Sequence, residues 1–221
     1  LTDVTGVQTC ALPIYGDNSI YAVNLTPAQK ENLRAEIRIY DSNGKIIGEQ
    51  NESTSLSGNS SVKIYTLPPD LDYTGVYFVK LKLSDSQDNL IADNFYWLST
   101  KPDVPDFEKT TWFYTPMAEY ADLRGLDKLP KVRLITENTI TKVNDEYEVT
   151  VKLDNPGNNI VFLVELGIVG EDSGKSVVPV IWDDNYVSLV PGESRVVKAK
   201  FSESALKGEN PVFRYKGWNV E

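Results

Sequence analysis

Alternation with a period of two, broken repeatedly by turn residues, is the pattern that most limits how this chain folds. Tyr147, Val149, Val151 and Leu153 alternate with Glu146, Glu148, Thr150 and Lys152, which puts apolar groups on one face of an extended strand and polar groups on the other. Ile37 and Ile39 alternate in the same way with Glu36 and Arg38, Tyr77, Val79, Leu81 and Leu83 with Phe78, Lys80 and Lys82, and Val197, Ala199 and Phe201 with Lys198 and Lys200. Val62, Ile64 and Thr66 continue the pattern until Pro68-Pro69, which cannot donate to a sheet ladder, stops it. Asp41-Ser42-Asn43-Gly44, the run from Asp85 to Asn89, and Asp154-Asn155-Pro156-Gly157-Asn158 supply turn chemistry between strands. Residues 160–169 are more continuously apolar, as suits a strand covered on both faces. Short strands at this spacing predict an all-β chain of β-sandwich type.

The pattern separates into segments. Residues 15–100 form one predicted sandwich and residues 119–221 a second, with a strand over 211–220 closing it. Residues 101–118, punctuated by Pro102, Pro105 and Pro116 and rich in aromatics, read as a linker. A short helical turn is predicted over 118–129, with Tyr120, Leu123 and Leu126 near one face and Pro130 ending it. Residues 1–14 lack periodicity, and their Cys-Ala-Leu-Pro fits neither strand nor helix. Residues 4–14 match, codon for codon in a single frame, a translated short-read sequencing adapter. The natural polypeptide is therefore expected to begin near Tyr15, to owe Cys10 to the adapter, and to be a fragment whose first sandwich lacks a leading strand.

Composition removes several function classes. With 32 acidic and 22 basic side chains the net charge is −10, and no basic stripe offsets the repulsion of a phosphate backbone, so nucleic acid is not an expected partner. Histidine is absent, which excludes Ser-His-Asp and Cys-His nucleophiles as well as histidine-ligated metals. A single cysteine forms no internal disulfide. No apolar run reaches the roughly 20 residues that cross a bilayer as a helix, so membrane insertion is not expected. No phosphate-binding glycine loop is present, and neither a cofactor nor a metal site is expected.

The polar corner within residues 178–194 is the best local candidate for ligand contact. Trp182 and Tyr186 offer ring faces for sugar C–H surfaces, and Asp183, Asp184 and Asn185 offer partners for hydroxyls. The competing and preferred reading is a structural corner, with rings on the core and carboxylates capping turn amides. Adjacent acids in a strand face opposite ways, so Asp183 and Asp184 make a poor pair for retaining glycosidase chemistry, which needs carboxyls about 5 Å apart. Trp112 and Tyr114, beside Phe113, form a second aromatic cluster, either a sugar platform or, preferably, an interdomain contact. Asp85, Asp88 and Asn89 depart from calcium-loop spacing and read as a hairpin turn. No catalytic residue is assigned.

Three strings taken in order carry a resemblance: Asp93-Asn94-Phe95-Tyr96-Trp97-Leu98-Ser99; Tyr120-Ala121-Asp122-Leu123 with Leu129-Pro130-Lys131-Val132; and residues 179–194. With the closing Gly217-Trp218-Asn219-Val220 they resemble the C-terminal region of glycoside hydrolase family 2 enzymes of the exo-β-D-glucosaminidase and β-mannosidase type. The resemblance implies two immunoglobulin-like sandwiches that follow a catalytic (β/α) barrel, with both catalytic glutamates on that barrel and none here. It further implies an accessory, non-catalytic role that buttresses the barrel of a retaining exo-β-glycosidase acting on terminal β-linked glucosamine or mannose. The barrel of the same polypeptide is then the expected partner, with polysaccharide or glycan as a second, and the parent enzyme is expected to be periplasmic or secreted. The alternative is a stand-alone carbohydrate-binding or adhesion module of the same fold.

Overall fold

The computed structural model describes residues 10–71, 73 and 75–221, so residues 4–9 of the adapter-like string lie outside the described residues. The chain divides after Leu129 into two compact units. In the first, β1 (Cys10–Ala11), β2 (Ser19–Asn24), β3 (Lys30–Tyr40), β4 (Ile46–Leu56), β5 (Ser60–Thr66), β6 (Val76–Ser84) and β7 (Leu90–Ser99) form two antiparallel sheets. Their orders are β1-β2-β5 and β4-β3-β6-β7. A ribbon of β8 (Val104–Pro105) and β9 (Met117–Glu119) follows, with a 3-10 turn at Phe107–Lys109 between its strands.

The alternation in β3 and β6 places Ala35, Ile37, Ile39, Val79, Leu81 and Leu83 in one core with Ile20 and Ala22 of β2. Each valine, leucine or isoleucine among them contributes about 1.5–3 kcal/mol on leaving water, and each alanine less. The Asp85–Asn89 turn forms as expected, with Asp85 Oδ1 accepting from the backbone N–H groups of Gln87 and Asn89.

Three expectations change. The Cys-Ala-Leu-Pro segment does enter the fold: Cys10 and Ala11 pair with Asn24 and Val23, and Cys10 and Leu12 are fully buried. Leu12 donates its N–H to Asn94 Oδ1, and its carbonyl accepts from the Tyr96 hydroxyl, so backbone polarity rather than periodicity seats this stretch. The alternation of β6 turns Lys80 toward solvent in the sequence reading, yet Lys80 is 2% exposed, with Nζ 2.8 Å from Asp93 Oδ1 and 2.9 Å from Oδ2. Phe78 on the same face is also buried. The helical turn shrinks to a 3-10 turn at Arg124–Lys128; Leu126 is buried but Tyr120 is exposed, because so short a turn presents only one side chain inward.

The second unit, Pro130–Glu221, contains β10 (Ile135–Val143), β11 (Glu146–Asp154), β12 (Val161–Gly170), β13 (Ile181–Trp182), β14 (Val187–Leu189), β15 (Ser194–Ser202) and β16 (Pro211–Lys216). Their sheets run β10-β11-β15-β13 and β14-β12-β16. Val149, Val151 and Leu153 of β11 meet Val197, Ala199 and Phe201 of β15 and Val164, Leu166 and Ile168 of β12 in a single core. β12 is covered on both faces only at its start; from Leu163 onward burial alternates, and Glu165 is exposed. The closing strand stops at Lys216 rather than reaching Val220. Gly217 then turns the chain so tightly that a Cβ there would lie 2.2 Å from Val220 Cγ2.

Two buried asparagines staple this sandwich. Asn155 donates Nδ2 to the carbonyls of Asn159, Leu189 and Val190 and accepts from Gly157 N–H. Asn219 donates to the carbonyls of Pro130 and Ile160 and accepts from Phe162 N–H. Buried carbonyls left unpaired are costly, so one carboxamide that satisfies several of them holds loops a strand ladder does not reach. Among the described residues, no helix is long and apolar enough to cross a membrane.

Candidate functional site

The corner after β13 is assembled by its own polar groups. Asp183 donates its N–H to Lys198 O and accepts Lys198 N–H on Oδ1, at 2.9 and 2.8 Å, extending the pairing of β13 with β15 by one residue. Asp184 accepts from Asn185 N–H and forms an ion pair with Arg195 at 2.5 Å. Asn185 replaces a strand residue. β14 pairs with β12 at Val161 and Val164, and Ser176 pairs with Val169, which leaves Leu166 without a backbone partner on the β14 side, although it pairs with Tyr215 of β16 on the other. The Asn185 carboxamide fills that gap, accepting Leu166 N–H at 2.8 Å and donating to Leu166 O at 3.0 Å.

Tyr186 sits at φ 55° with its ring exposed. Trp182 is half-buried against the core of the second unit. The Asp-Asp-Asn string thus takes part in holding the corner, and Trp182 and Tyr186 are its aromatic members. Trp112 and Tyr114 belong to the first unit, within the loop between β8 and β9. Trp112 is 93% exposed and meets Phe113 edge-on at 4.9 Å. The backbone of this loop is closed by Asp106 N–H to Pro116 O and Thr111 N–H to Tyr114 O, so Trp112, Phe113 and Tyr114 are held outward on a braced segment.

Trp182 also lines a groove of about 380 Å³ that runs over β12 and β16. Glu165, Arg214 and Tyr215 line it as well, and the sequence reading did not single them out. The signal available was Glu165 itself, a lone acid inside an otherwise apolar run. Among the described residues, no group of three acidic or cysteine side chains is placed to hold a metal ion.

Two antiparallel sandwiches in tandem, one bearing an aromatic loop and the other a charged groove, define a protein of immunoglobulin-like β-sandwich class. Residues 16–101 match the mannosidase Ig/CBM-like domain family, and residues 112–220 match the exo-β-D-glucosaminidase Ig-fold domain family. The two domains therefore belong to the immunoglobulin-like domains of glycoside hydrolase family 2 exo-β-D-glucosaminidases and mannosidases. Among its relatives, the exo-β-D-glucosaminidase of Streptomyces avermitilis is 33% identical over 220 residues, covering 93% of this chain and 23% of that enzyme. The Amycolatopsis orientalis exo-β-D-glucosaminidase is 33% identical over 212 residues, covering 93% of this chain and 20% of the enzyme. The crystal structure of the Amycolatopsis orientalis exo-chitosanase CsxA superposes with a TM-score of 0.89 at 30% identity, covering 96% of this chain and 26% of that one. The chain thus spans about a quarter or less of the length of the relatives it matches. A β-D-mannosidase from Dictyoglomus thermophilum shares the fold, with a TM-score of 0.60 at 17% identity.

Proposed function

We propose that this chain is the architectural portion of a retaining exo-β-glycosidase, and that its aromatic loop docks against the catalytic part of the same polypeptide. The parent would hydrolyse a terminal β-linked glucosamine or mannose through two carboxylates of a (β/α) barrel, one as nucleophile and one as acid–base. The observation that carries the docking role is the outward-held Trp112-Phe113-Tyr114 run. Exposed large aromatics on a braced loop are costly in water and are recovered by burial in an interface, where such residues concentrate the binding energy.

The test is a chimera in which this chain replaces the matching region of the Amycolatopsis orientalis enzyme. The chimera is expected to cleave p-nitrophenyl β-D-glucosaminide. Trp112→Ser together with Tyr114→Ser is expected to lower its thermal inactivation temperature by several degrees, with kcat unchanged below that temperature. An inactivation temperature equal to the parent chimera's overturns the docking role, and hydrolysis by the 221-residue chain alone overturns the accessory reading.

A further inference from the structure

We infer that the β2 edge of the first sandwich is a binding site for an extended peptide strand with uncharged, apolar side chains at every second position, filled in this chain by its own residues 10–14. One side of the seat is backbone. Cys10 and Ala11 pair with Asn24 and Val23 of β2, Ile14 bridges to Ile20, and the Pro13 carbonyl accepts from Tyr21 N–H at 3.1 Å. The other side is built from two side chains of β7. Leu12 donates its N–H to Asn94 Oδ1 at 3.2 Å, and its carbonyl accepts from the Tyr96 hydroxyl at 3.0 Å. β2 and β7 belong to different sheets, so the seated segment closes the sandwich between them.

Asn94 and Tyr96 distinguish this seat from a bare strand edge. They lie opposite Leu81 and Val79 in the register of β6 with β7, and Leu81 and Val79 are core residues. Paired residues share one face of a sheet, so Asn94 and Tyr96 project from the core-facing side of β7. Polar groups on such a face are costly unless hydrogen-bonded. Here each is met by the backbone of Leu12.

Main-chain groups are common to every peptide, so recognition through them tolerates many sequences, while the inward side chains set the limit. Cys10 and Leu12 are fully buried and Ile14 packs against the same core. A charge at any of the three positions loses its water without gaining a partner. Residues 4–14 match a translated sequencing adapter, and a seat that reads backbone and apolar side chains rather than one particular string accounts for the fit of 10–14. The site stands apart from the docking role of the aromatic loop, which uses residues 112–114.

Cys10 is the single cysteine of the chain, so its reaction with a thiol reagent reports release of this segment alone. The 221-residue chain is labelled in the presence of a synthetic peptide of residues 10–16 carrying Cys10→Val, which has no thiol. A peptide that captures the opened edge holds the chain's own segment out. The labelling rate is therefore expected to rise with peptide concentration, about tenfold at about ten times the Kd for the open edge. The same peptide carrying Leu12→Asp is expected to leave the rate unchanged. In the chain itself, Asn94→Ala and Tyr96→Phe each remove one hydrogen bond to Leu12 and are each expected to speed labelling about tenfold without peptide. The peptide arm uses the unmodified chain and does not depend on how these variants fold. A rate independent of the Cys10→Val peptide, equal acceleration by the Leu12→Asp peptide, or labelling of the unmodified chain as fast as in concentrated urea each overturns the assignment.

Discussion

Asn185 illustrates how a side chain in this protein does the work of a backbone. Its carboxamide satisfies both the N–H and the C=O of Leu166 where β14 no longer runs beside β12. Asn185→Ala leaves two backbone groups unpaired, each worth about 1–3 kcal/mol when buried without a partner. The expected loss is about 2–4 kcal/mol in urea unfolding, whereas Tyr186→Gly, relieving a left-handed backbone at φ 55°, is expected to be neutral or stabilising by up to about 1 kcal/mol. A loss of more than 1 kcal/mol in the second variant would show that the Tyr186 ring holds the corner. Lys80 shows the opposite case, a buried ammonium with the Asp93 carboxylate 2.8 Å away. Removing one partner of such a pair costs about 3–5 kcal/mol, so Lys80→Ala is expected to be far more damaging than Lys80→Met combined with Asp93→Leu. Equal stabilities for the two would contradict the pairing argument.

At the level of elements, strand ends and turns are fastened by carboxylates. Lys152 and Ser194 bonding to Asp154 hold its carboxyl below the ordinary value of 3.8, and backbone and side-chain hydrogen bonds from Ser173 lower Glu209. Asn89 and Gln87 do the same for Asp85 in the β6–β7 turn. Each of these groups binds its proton less tightly folded than unfolded, so its stabilising effect is present above pH about 4 and is lost as pH falls through the folded value. Thermal melts are therefore expected to be flat near neutrality and to drop below pH 4, with Asp154→Asn showing a shallower acid dependence. An acid dependence unchanged in that variant would refute the assignment. Tyr73 carries the reverse sign at the alkaline end. Burial pushes its phenol up to about 12, so stability is expected to fall as pH rises from 10 toward 12, and Tyr73→Phe should remove that component.

For the molecule as a whole, the outward-facing Trp112, Phe113 and Tyr114 imply that the chain self-associates at high concentration. Replacing all three by Ser is expected to lower its light-scattering mass without moving its melting transitions; an unchanged mass would place the associating surface elsewhere. Much of the architecture was legible in the chain, because period-two alternation in β3, β6, β11 and β15 is a local consequence of strand geometry, and Asp-, Asn- and Gly-rich turns are local too. The family strings were equally legible, and the structure gives them physical jobs, with residues 183–185 closing a sheet edge and Asn219 clasping the sandwich. Burial of Lys80, the seating of Cys10 and Leu12, and the halt of β16 at Lys216 were not legible, since each depends on what another strand brings alongside. The groove belongs to the same category. The sequence alone determined that the chain alternates, turns and forms sandwiches, because those properties rest on neighbours in the chain. Only the tertiary structure decided that Lys80 is buried beside Asp93 and that Asp183, Asp184 and Asn185 fasten the corner after β13, because side-chain company is set by strand register across a sheet.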